Sequence, residues 1–491
     1  MGSLTLLDVC LAGVGLYLVK RVLLDNKSPL PPGPAGWPII GNLFDFPSQK
    51  PWLTFASYGK RYGEPLIAVY SSTRTSTQSM HPHPSGDISS LKILGTNMVI
   101  LNTAKAASDL LDKRSAIFSD RPHFVMAGDL AGWGDLLALQ QNSERFKQYR
   151  KLFYRHLGSK SSLAVFHPAI EEETRKFLDN VLNDAEDLVA HIRTLAGATI
   201  LKFSHGYSVR DGVDPLVDLA ERSMADFSAL VVPGAFLVDV VPMLRYVPEW
   251  LPGSGFLQMA KSSRQLMNEA VKTPHQFVLD QLASGNASTS FSGKLLEGGV
   301  TPEEEDVIMW ASLSMYLGGS DTTVASIYAF FLAMTLYPEI QKRAQAELDS
   351  LIGTERLPTF EDRHSLPYVN AVCTELFRWH TVAPQILHDE NTYPDPEAFN
   401  PGRFLSENPQ ADPRSASFGY GRRICPGLHL ADAAVFMAIA MSLAVFDISR
   451  IVENGVEVIP EIDPTEGIVS HSRAFRCKIT PRSAAAKVVY N

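Results

Sequence analysis

Phe418-Gly419-Tyr420-Gly421-Arg422-Arg423-Ile424-Cys425-Pro426-Gly427 is the stretch around which this chain of 491 residues is organised. The apolar segment 428–446 follows it directly and predicts a helix. The three glycines of the stretch allow tight turns and the close approach of a flat ligand, and Pro426 suits the first turn of the predicted helix. The stretch is therefore predicted to be a ligand-binding loop that leads into a buried helix.

Cys425 is the candidate metal ligand of this loop. The positive dipole end of the following helix and the adjacent Arg422 and Arg423 all favour a charged sulfur. The alternative is a buried core cysteine near the start of a helix.

The spacing Phe418-x-x-Gly421-x-Arg423-x-Cys425-x-Gly427 resembles the haem-binding signature of the cytochrome P450 superfamily, the haem-thiolate monooxygenases. The resemblance implies haem b, with Cys425 as the axial ligand of its iron. It also implies that Phe418 packs near the sulfur, that Gly421 and Gly427 shape the loop, and that Arg423 meets a haem propionate.

Composition limits the remaining functions. The chain has 53 acidic and 44 basic side chains and a net charge of −9, which argues against a nucleic-acid-binding protein. Its four cysteines are scattered and form no CxxC pair, so we expect a reducing compartment rather than a disulfide framework.

The N-terminus predicts attachment to a membrane. Residues 1–24 contain an apolar run that is followed, not preceded, by Lys20 and Arg21, which favours an uncleaved single-pass anchor over a signal peptide. An amphipathic or merely buried helix is the alternative. Residues 25–36 are rich in proline and predict a stiff hinge. Microsomal members of the family have a similar anchor and hinge, which implies the endoplasmic reticulum membrane with a cytosolic catalytic domain.

Residues 37–491 are predicted to form one mainly α-helical haem-binding domain with a small β-sheet, the cytochrome P450 fold. Trp52 to Tyr62 predicts an amphipathic helix, and Pro65 to Tyr70 and Met98 to Leu101 predict strands. Ser71 to Ser90 is polar, has hardly any large apolar residue, and is predicted to be a disordered insert.

Glu144 to Leu157 predicts a basic helix with Phe146, Tyr149 and Phe153 on its apolar side. It resembles the Trp-x-x-x-Arg helix of the family, with Phe146 in place of the Trp. The resemblance implies that Arg150 contacts a haem propionate. The rest of the basic face is expected to help dock an electron-donor protein.

Leu163 to Leu282 reads as helices broken at prolines, without a catalytic motif. The family builds pocket walls from this region, and apolar residues such as Phe227 and Val231 are either pocket candidates or plain core.

Thr301-Pro302-Glu303-Glu304 predicts the start of a helix of about 35 residues that runs to Tyr337. A polar cluster, Gly318 to Thr323, interrupts its apolar pattern, and such a cluster is either functional or satisfied by its own backbone. The resemblance implies that Asp321 and Thr322 deliver protons while the O–O bond is cleaved.

Glu375 and Arg378 lie three residues apart in a predicted helix from Leu366 to His380, so they share one face. Such a pair is commonly an exposed ion pair. With Arg403 it resembles the family's Glu-x-x-Arg plus Arg set, which supports the cysteine loop.

The 24 residues between Arg378 and Arg403 are fewer than the family has there. Two strands and their turns, about thirty residues at ordinary strand lengths, are expected to be missing after Pro384. This gap and the insert predict an alternatively spliced or mispredicted product.

The resemblance implies a monooxygenase that takes NADPH electrons from a separate reductase, with cytochrome b5 as a further candidate donor. Its substrates would be small lipophilic compounds: fungal secondary metabolites such as terpenoids or polyketides, or foreign aromatics and steroids. The sequence as a whole is most similar to fungal microsomal members of the O-methylsterigmatocystin oxidoreductase type. The alternatives are a redox-neutral haem-thiolate isomerase or dehydratase, and an inactive splice variant.

Overall fold

The computed structural model describes residues 30–37, 40–47, 49–62, 87–210, 212–286, 289–383 and 387–482, together with Gly13 and Gly15. Its contacts divide into two compact units. The N-terminal unit is Met1–Phe118 with Tyr420–Arg422, and the helical unit is Ser119–Gly419 with Arg423–Asn491. The sequence predicts one domain over 37–491, and the division falls inside it.

The N-terminal unit is built on an antiparallel hairpin. Strands β1 (Ile88–Ile93) and β2 (Thr96–Leu101) pair with Ile88 opposite Leu101. The backbone of the proline-rich segment lies along the outer edge of β1, where Ser90 N donates to Pro32 O at 2.9 Å. Among the described residues, β2 has β1 as its only strand partner. Helices α1 (Pro51–Tyr62) and α2 (Ala104–Ala107) complete this unit.

The start of β1 corrects the predicted insert. Ser71 to Ser90 is expected to be disordered, but Ile88 to Ser90 form the first half of β1. The two serines are buried because their hydroxyls are bonded: Ser90 Oγ donates to Pro31 O at 2.6 Å and Ser89 Oγ accepts from Asn102 Nδ2 at 3.2 Å. Polarity alone therefore misassigned these residues. The rest of the insert up to residue 86, the predicted strand at 65–70 and nearly all of the predicted anchor lie outside the described residues.

The helical unit contains most of the secondary structure. Its helices are α3 (Glu144–Leu157), α4 (Lys160–Leu163), α5 (His167–Asn183), α6 (Leu188–His205), α7 (Pro215–Leu230), α8 (Leu237–Val240), α9 (Gly255–Ala283), α10 (Phe291–Leu296), α11 (Pro302–Leu336), α12 (Pro338–Leu351), α13 (Pro367–Trp379), α14 (Arg414–Ser417) and α15 (Leu428–Val445). Strands β3 (Phe446–Ser449) and β6 (Lys478–Pro481) pair antiparallel, as do β4 (Val452–Glu453) and β5 (Val456–Glu457). The prediction of a mainly helical fold with little sheet is confirmed.

Helix α11 is the central element of this unit. A capping box starts it: Glu304 N donates to Thr301 Oγ1 at 3.3 Å, and Thr301 N donates to the Glu304 carboxylate at 3.0 Å. The helix then runs unbroken for 35 residues and packs against α6, α7, α15 and α3. Phe227 and Val231 at the end of α7 are buried in the same core.

Helix α15 carries the chain away from the cysteine loop through the interior. By length and composition it is the one described helix that would suffice to cross a membrane alone, and 78% of it is buried in the protein. Helices α11 and α12 pass the same test only as a pair bent by 105°. The apolar faces of α15 are thus used for packing against α5, α11 and α13.

Candidate active site

The cysteine loop is held by its own backbone. Cys425 N donates to Phe418 O at 2.7 Å, which closes the loop over its glycine turns. Gly419 has a φ of 79°, a conformation that side-chain-bearing residues rarely adopt. Ala431 N donates to Gly427 O at 2.9 Å, so α15 starts at Leu428 with Gly427 as its N-cap. Pro426 therefore lies in the turn before the helix, which corrects its predicted place in the first helical turn.

Gly421 has to be glycine. Its φ is 54°, and a Cβ built on it would lie 2.0 Å from Leu111 O. Its N–H donates to Asp112 Oδ1 at 2.5 Å. Any side chain here would displace the turn that precedes the cysteine.

The environment of the Cys425 thiol sets its charge. Cys425 as a whole residue is half-buried, and it forms no disulfide. Burial raises the pKa of the thiol, whereas the Gly427 N–H and the positive Arg150 lower it. Arg150 comes from α3 and donates to Ile424 O at 2.6 Å, so it is fixed beside the loop. The predicted support from Arg422 and Arg423 is replaced by Arg150, because Arg422 is exposed and Arg423 is directed elsewhere.

Arg423 belongs to a cluster of three guanidinium groups with Arg121 and Arg150. Burial lowers the pKa of all three, and the positive Arg121 and Arg150 help to lower that of Arg423 to about 10. Arg423 donates to the carbonyl oxygens of Ser119 and Gln140. Within the described ranges none of the three has a carboxylate within ion-pair distance. Such a cluster is suited to bind an anion with more than one carboxylate or phosphate group.

Phe146 supports this cluster from α3. It is buried, and the Arg423 guanidinium lies 4.0 Å from the centre of its ring. The ring thus stabilises the position of Arg423 although it lacks the N–H donor of an indole.

Glu375 and Arg378 form a fully buried ion pair below the loop. Arg378 Nε donates to Glu375 Oε2 at 2.8 Å, and a second guanidinium nitrogen donates to Oε1 at 2.8 Å. Both side chains have 0% exposure, which rules out the exposed-pair alternative. Arg378 also donates to the carbonyls of Leu387, Pro396 and Ala398, so its remaining donors are used.

Arg403 completes the triad. Its Nε donates to Glu375 Oε1 at 3.3 Å, and its other nitrogens donate to the carbonyl oxygens of Pro394, Asp395 and Ala398. Asn400 N adds a hydrogen bond to the same carboxylate oxygen at 2.7 Å. One buried carboxylate thus fastens α13 to the segment 394–403 that precedes the cysteine loop.

Two adjacent glycines in α11 have different surroundings. A Cβ on Gly319 would lie 2.6 Å from the Ile200 side chain, so this glycine allows α11 to pack closely on α6. A Cβ on Gly318 would meet nothing within 4 Å, and the residue is exposed. Gly318 therefore faces open space beside the polar cluster.

The hydroxyl and the carboxyl of the polar cluster are bonded differently. Thr322 Oγ1 donates to Gly318 O at 2.7 Å, so the alternative of a hydroxyl satisfied by its own helix holds for this group. Asp321 forms no such bond to the backbone. Its Oδ1 lies 3.1 Å from Nε2 of His471, a residue close to the C-terminus of the described chain.

Comparison with known proteins gives the family. The family model described as "Cytochrome P450" matches residues 74–388 and 383–479. The chain is 41% identical to cytochrome P450 monooxygenase 208 of Postia placenta, over 96% of this chain and 94% of the relative. It belongs to the cytochrome P450 family. It is also 40% identical to cytochrome P450 monooxygenase claR of Ampulloclitocybe clavipes (98% and 92%) and 37% identical to cytochrome P450 monooxygenase CLM2 of Gibberella zeae (98% and 94%).

As a cytochrome P450 monooxygenase, the chain is expected to bind haem through a cysteine thiolate, and its described residues fit that group. An unpaired, half-buried cysteine lies next to a cationic group. Three neighbouring arginines, of which Arg150 and Arg423 are half-buried and Arg121 is exposed, have no carboxylate within ion-pair distance among the described residues and match the two propionates. Gly318 leaves room on one face of α11.

The sequence analysis did not predict two residues of the site, Arg121 and His471. Arg121 belongs to no motif that was used for prediction. The local signals are Asp120 before it and a proline after it, which would fix its backbone. His471 lies 150 positions after Asp321, and no local pattern connects the two. Only the folded chain brings either residue to the site.

Proposed function

We propose that this cytochrome P450 uses O2 and NADPH electrons from a separate reductase to oxidise small lipophilic compounds, with Cys425 as the axial ligand. The observation that carries the proposal is the unpaired Cys425 thiol, which the Gly427 N–H and the positive Arg150 act on, in a chain that also holds the buried Glu375–Arg378–Arg403 triad. Bound haem would supply the activation of O2 for insertion into a C–H bond. Electron donation by the thiolate supports that chemistry.

The arginine cluster would hold the propionates. Arg423 and Arg150 each use part of a guanidinium on backbone carbonyls, and a guanidinium has five N–H donors, so donors remain for an anion. Arg121 has no side-chain hydrogen bond within the described ranges and would be directed entirely to this task. An anion there also offsets the mutual repulsion of the three groups.

Asp321 and Thr322 would move protons in the oxidation. Thr322 holds a hydroxyl on the exposed side of α11 next to Gly318, and Asp321 brings a carboxylate to the adjacent position. Their presence favours oxygen activation over the redox-neutral isomerase or dehydratase alternative, which has no need of a proton relay.

Electron donors would dock on the exposed basic face of α3, where Lys147, Lys151 and Arg155 reach solvent. The partners would be the NADPH reductase and cytochrome b5, whose acidic surfaces are attracted to such a face. Arg150 lies on the same helix and contacts the cysteine loop, so electrons from a donor docked on this face would have a short path to the loop.

Membrane lipid is the further partner that we propose. Residues 1–24 would form the single-pass anchor in the endoplasmic reticulum, with the catalytic region in the cytosol. Large apolar side chains on the helical unit support contact with lipid: Leu237, Met243, Tyr246 and Trp250 are all more than 60% exposed.

A second candidate is an inactive variant that lacks part of the family's sheet. The alignment with the Postia placenta relative spans 506 positions, more than the 491 residues here, so the relative has residues that this chain lacks. The family match is split into two segments that meet near Pro384, and Ser470 N donates to Val382 O directly at this point. These observations support the proposed loss of two strands after Pro384.

The deciding experiment is the carbon monoxide difference spectrum of the reduced, expressed chain. A red-shifted thiolate band that is lost in Cys425→Ser and kept in Cys477→Ser supports the proposal. NADPH-dependent oxygen uptake with added reductase then distinguishes the monooxygenase from the isomerase. Soluble chain without bound haem would overturn the proposal and favour the inactive variant. A thiolate band that survives in Cys425→Ser would overturn the assignment of Cys425 as the ligand.

A further inference from the structure

The Asp321 carboxylate has one ionisable partner within the described residues, the His471 imidazole. Nε2 of His471 lies 3.1 Å from Asp321 Oδ1, and both side chains are 29% exposed. At this distance the imidazolium forms an ion pair with the carboxylate, and a neutral ring interacts with the same oxygen only as the tautomer that carries its hydrogen on Nε2. The carboxylate next to Thr322 is therefore held from outside its own helix.

The backbone of His471 is fixed on two sides. Its N–H donates to Thr465 Oγ1 at 2.9 Å, and its carbonyl accepts from Thr465 N at 2.7 Å. The preceding residue, Ser470, is bound to the chain that leaves α13: its N–H donates to Val382 O at 2.7 Å, and His380 Nε2 donates to its carbonyl at 3.0 Å. The imidazole is thus presented to α11 by a turn that cannot shift independently.

We infer that His471 is the positioning residue for Asp321: it fixes the carboxylate in the orientation from which protons reach the Thr322 side of α11. This inference rests on the proposed role of Asp321 and Thr322. Without the imidazole, the carboxylate is free to rotate toward solvent, because the described structure gives it no other ion pair.

The consequence is a change in the products of oxygen reduction. With well-timed proton delivery, two NADPH, one O2 and two protons give two NADP⁺ and two waters. When delivery fails, one NADPH, one O2 and one proton give one NADP⁺ and one H2O2. The ratio of H2O2 formed to NADPH consumed therefore reports on proton delivery, and it is measured without added substrate.

The test compares His471→Ala, His471→Gln and the unmodified chain, each loaded with haem and supplied with reductase. We expect His471→Ala to raise the H2O2 to NADPH ratio several-fold and to leave the carbon monoxide spectrum unchanged. His471→Gln keeps an N–H donor and should restore most of the original ratio. His191→Ala is the matched control, since among the described residues the hydrogen bond of that partly exposed imidazole is to the Asp184 carbonyl.

A second readout does not depend on turnover. In protein with ¹⁵N-labelled histidine, the imidazole signal that vanishes in His471→Gln should shift in Asp321→Asn and stay in place in His191→Ala. An unchanged signal in Asp321→Asn, or an H2O2 ratio that His471→Ala leaves unaltered, would overturn the inference. Absence of the thiolate band in the unmodified chain would instead count against the proposed function, and the nuclear magnetic resonance result would still decide the pairing.

Discussion

At the scale of single residues, three influences set the pKa of the Cys425 thiol. Gly427 contributes an N–H from within the loop, Arg150 contributes a positive charge from α3, and burial opposes both by raising the thiol pKa. Arg423, which lies two positions away in sequence, interacts instead with Arg121 and with the ring of Phe146. Neighbours in sequence and neighbours of the sulfur are different sets.

Replacing Arg121 is expected to weaken haem binding without destabilising the haem-free protein. Arg121→Gln should speed the loss of haem to an excess of apo-globin by about tenfold, since a charge-assisted hydrogen bond contributes roughly 1.5 kcal/mol or more. In haem-free protein the same change should leave the denaturation midpoint equal or higher, because it removes repulsion with Arg423. Arg155→Gln, on the exposed face of α3, is the control for both measurements. A slower or unchanged haem loss would contradict this role.

The individual residues show where sequence reasoning succeeds. Spacing placed Glu375 and Arg378 on one helix face, and the family resemblance implied that Arg403 joins them. The three charged side chains form one buried cluster in the structure. Arg121 and His471 were not predicted, because their contacts join segments that no periodicity or short motif relates. Burial of the ion pair was likewise not predictable from the sequence, because an isolated Glu and Arg at this spacing usually remain exposed.

At the scale of elements, the adjacent glycines Gly318 and Gly319 of α11 have different structural roles. Gly319 is needed so that α11 and α6 approach closely, whereas Gly318 leaves one side of the helix open. Both weaken the helix in isolation. Packing on α6 compensates for the first, whereas a Cβ added at Gly318 would meet no described atom within 4 Å.

The two glycines therefore respond differently to alanine. Gly319→Ala should lower the free energy of unfolding by about 1–3 kcal/mol, because its Cβ would overlap with Ile200. Gly318→Ala should raise it by up to about 1 kcal/mol through helix propensity alone. Denaturant midpoints of the two variants, measured without haem, check this, and equal shifts for both would show that helix propensity rather than packing on α6 governs the region.

Among the elements, the strongly periodic helices were predictable. Glu144–Leu157 was predicted with the bounds that the structure has, and α11 and α13 agree within one residue at each end. The start of β1 was not, because Ser89 and Ser90 are polar and their hydrogen bonds to Asn102 and Pro31 are not visible in the sequence. Amphipathic spacing is a local signal, whereas strand burial depends on distant partners.

At the scale of the whole molecule, buried histidines make stability depend on pH. Burial lowers the pKa of His205 to about 3 and that of His380 to about 4, from an ordinary 6.5. The unfolded chain therefore binds protons that the folded chain excludes between these values, so stability is full above about pH 6.5 and falls as the pH drops.

We expect the free energy of unfolding to decrease by up to about 1.4 kcal/mol per pH unit for each of these two histidines near pH 5. Denaturant unfolding at pH 7, 6 and 5 measures this slope. His205→Gln should reduce this slope by about 1.4 kcal/mol per pH unit near pH 5. If His205→Gln shows the slope of the unmodified chain, His205 does not carry the effect.

The arginine cluster has a consequence for the amount of protein in a cell. Three neighbouring positive groups without a carboxylate at ion-pair distance among the described residues repel one another until an anionic cofactor joins them, so haem binding shifts the folding equilibrium by mass action. Newly made chains would then wait in a state that proteases recognise whenever porphyrin synthesis is slow. Cellular haem supply, rather than transcription of the gene, would set the steady-state abundance of this enzyme.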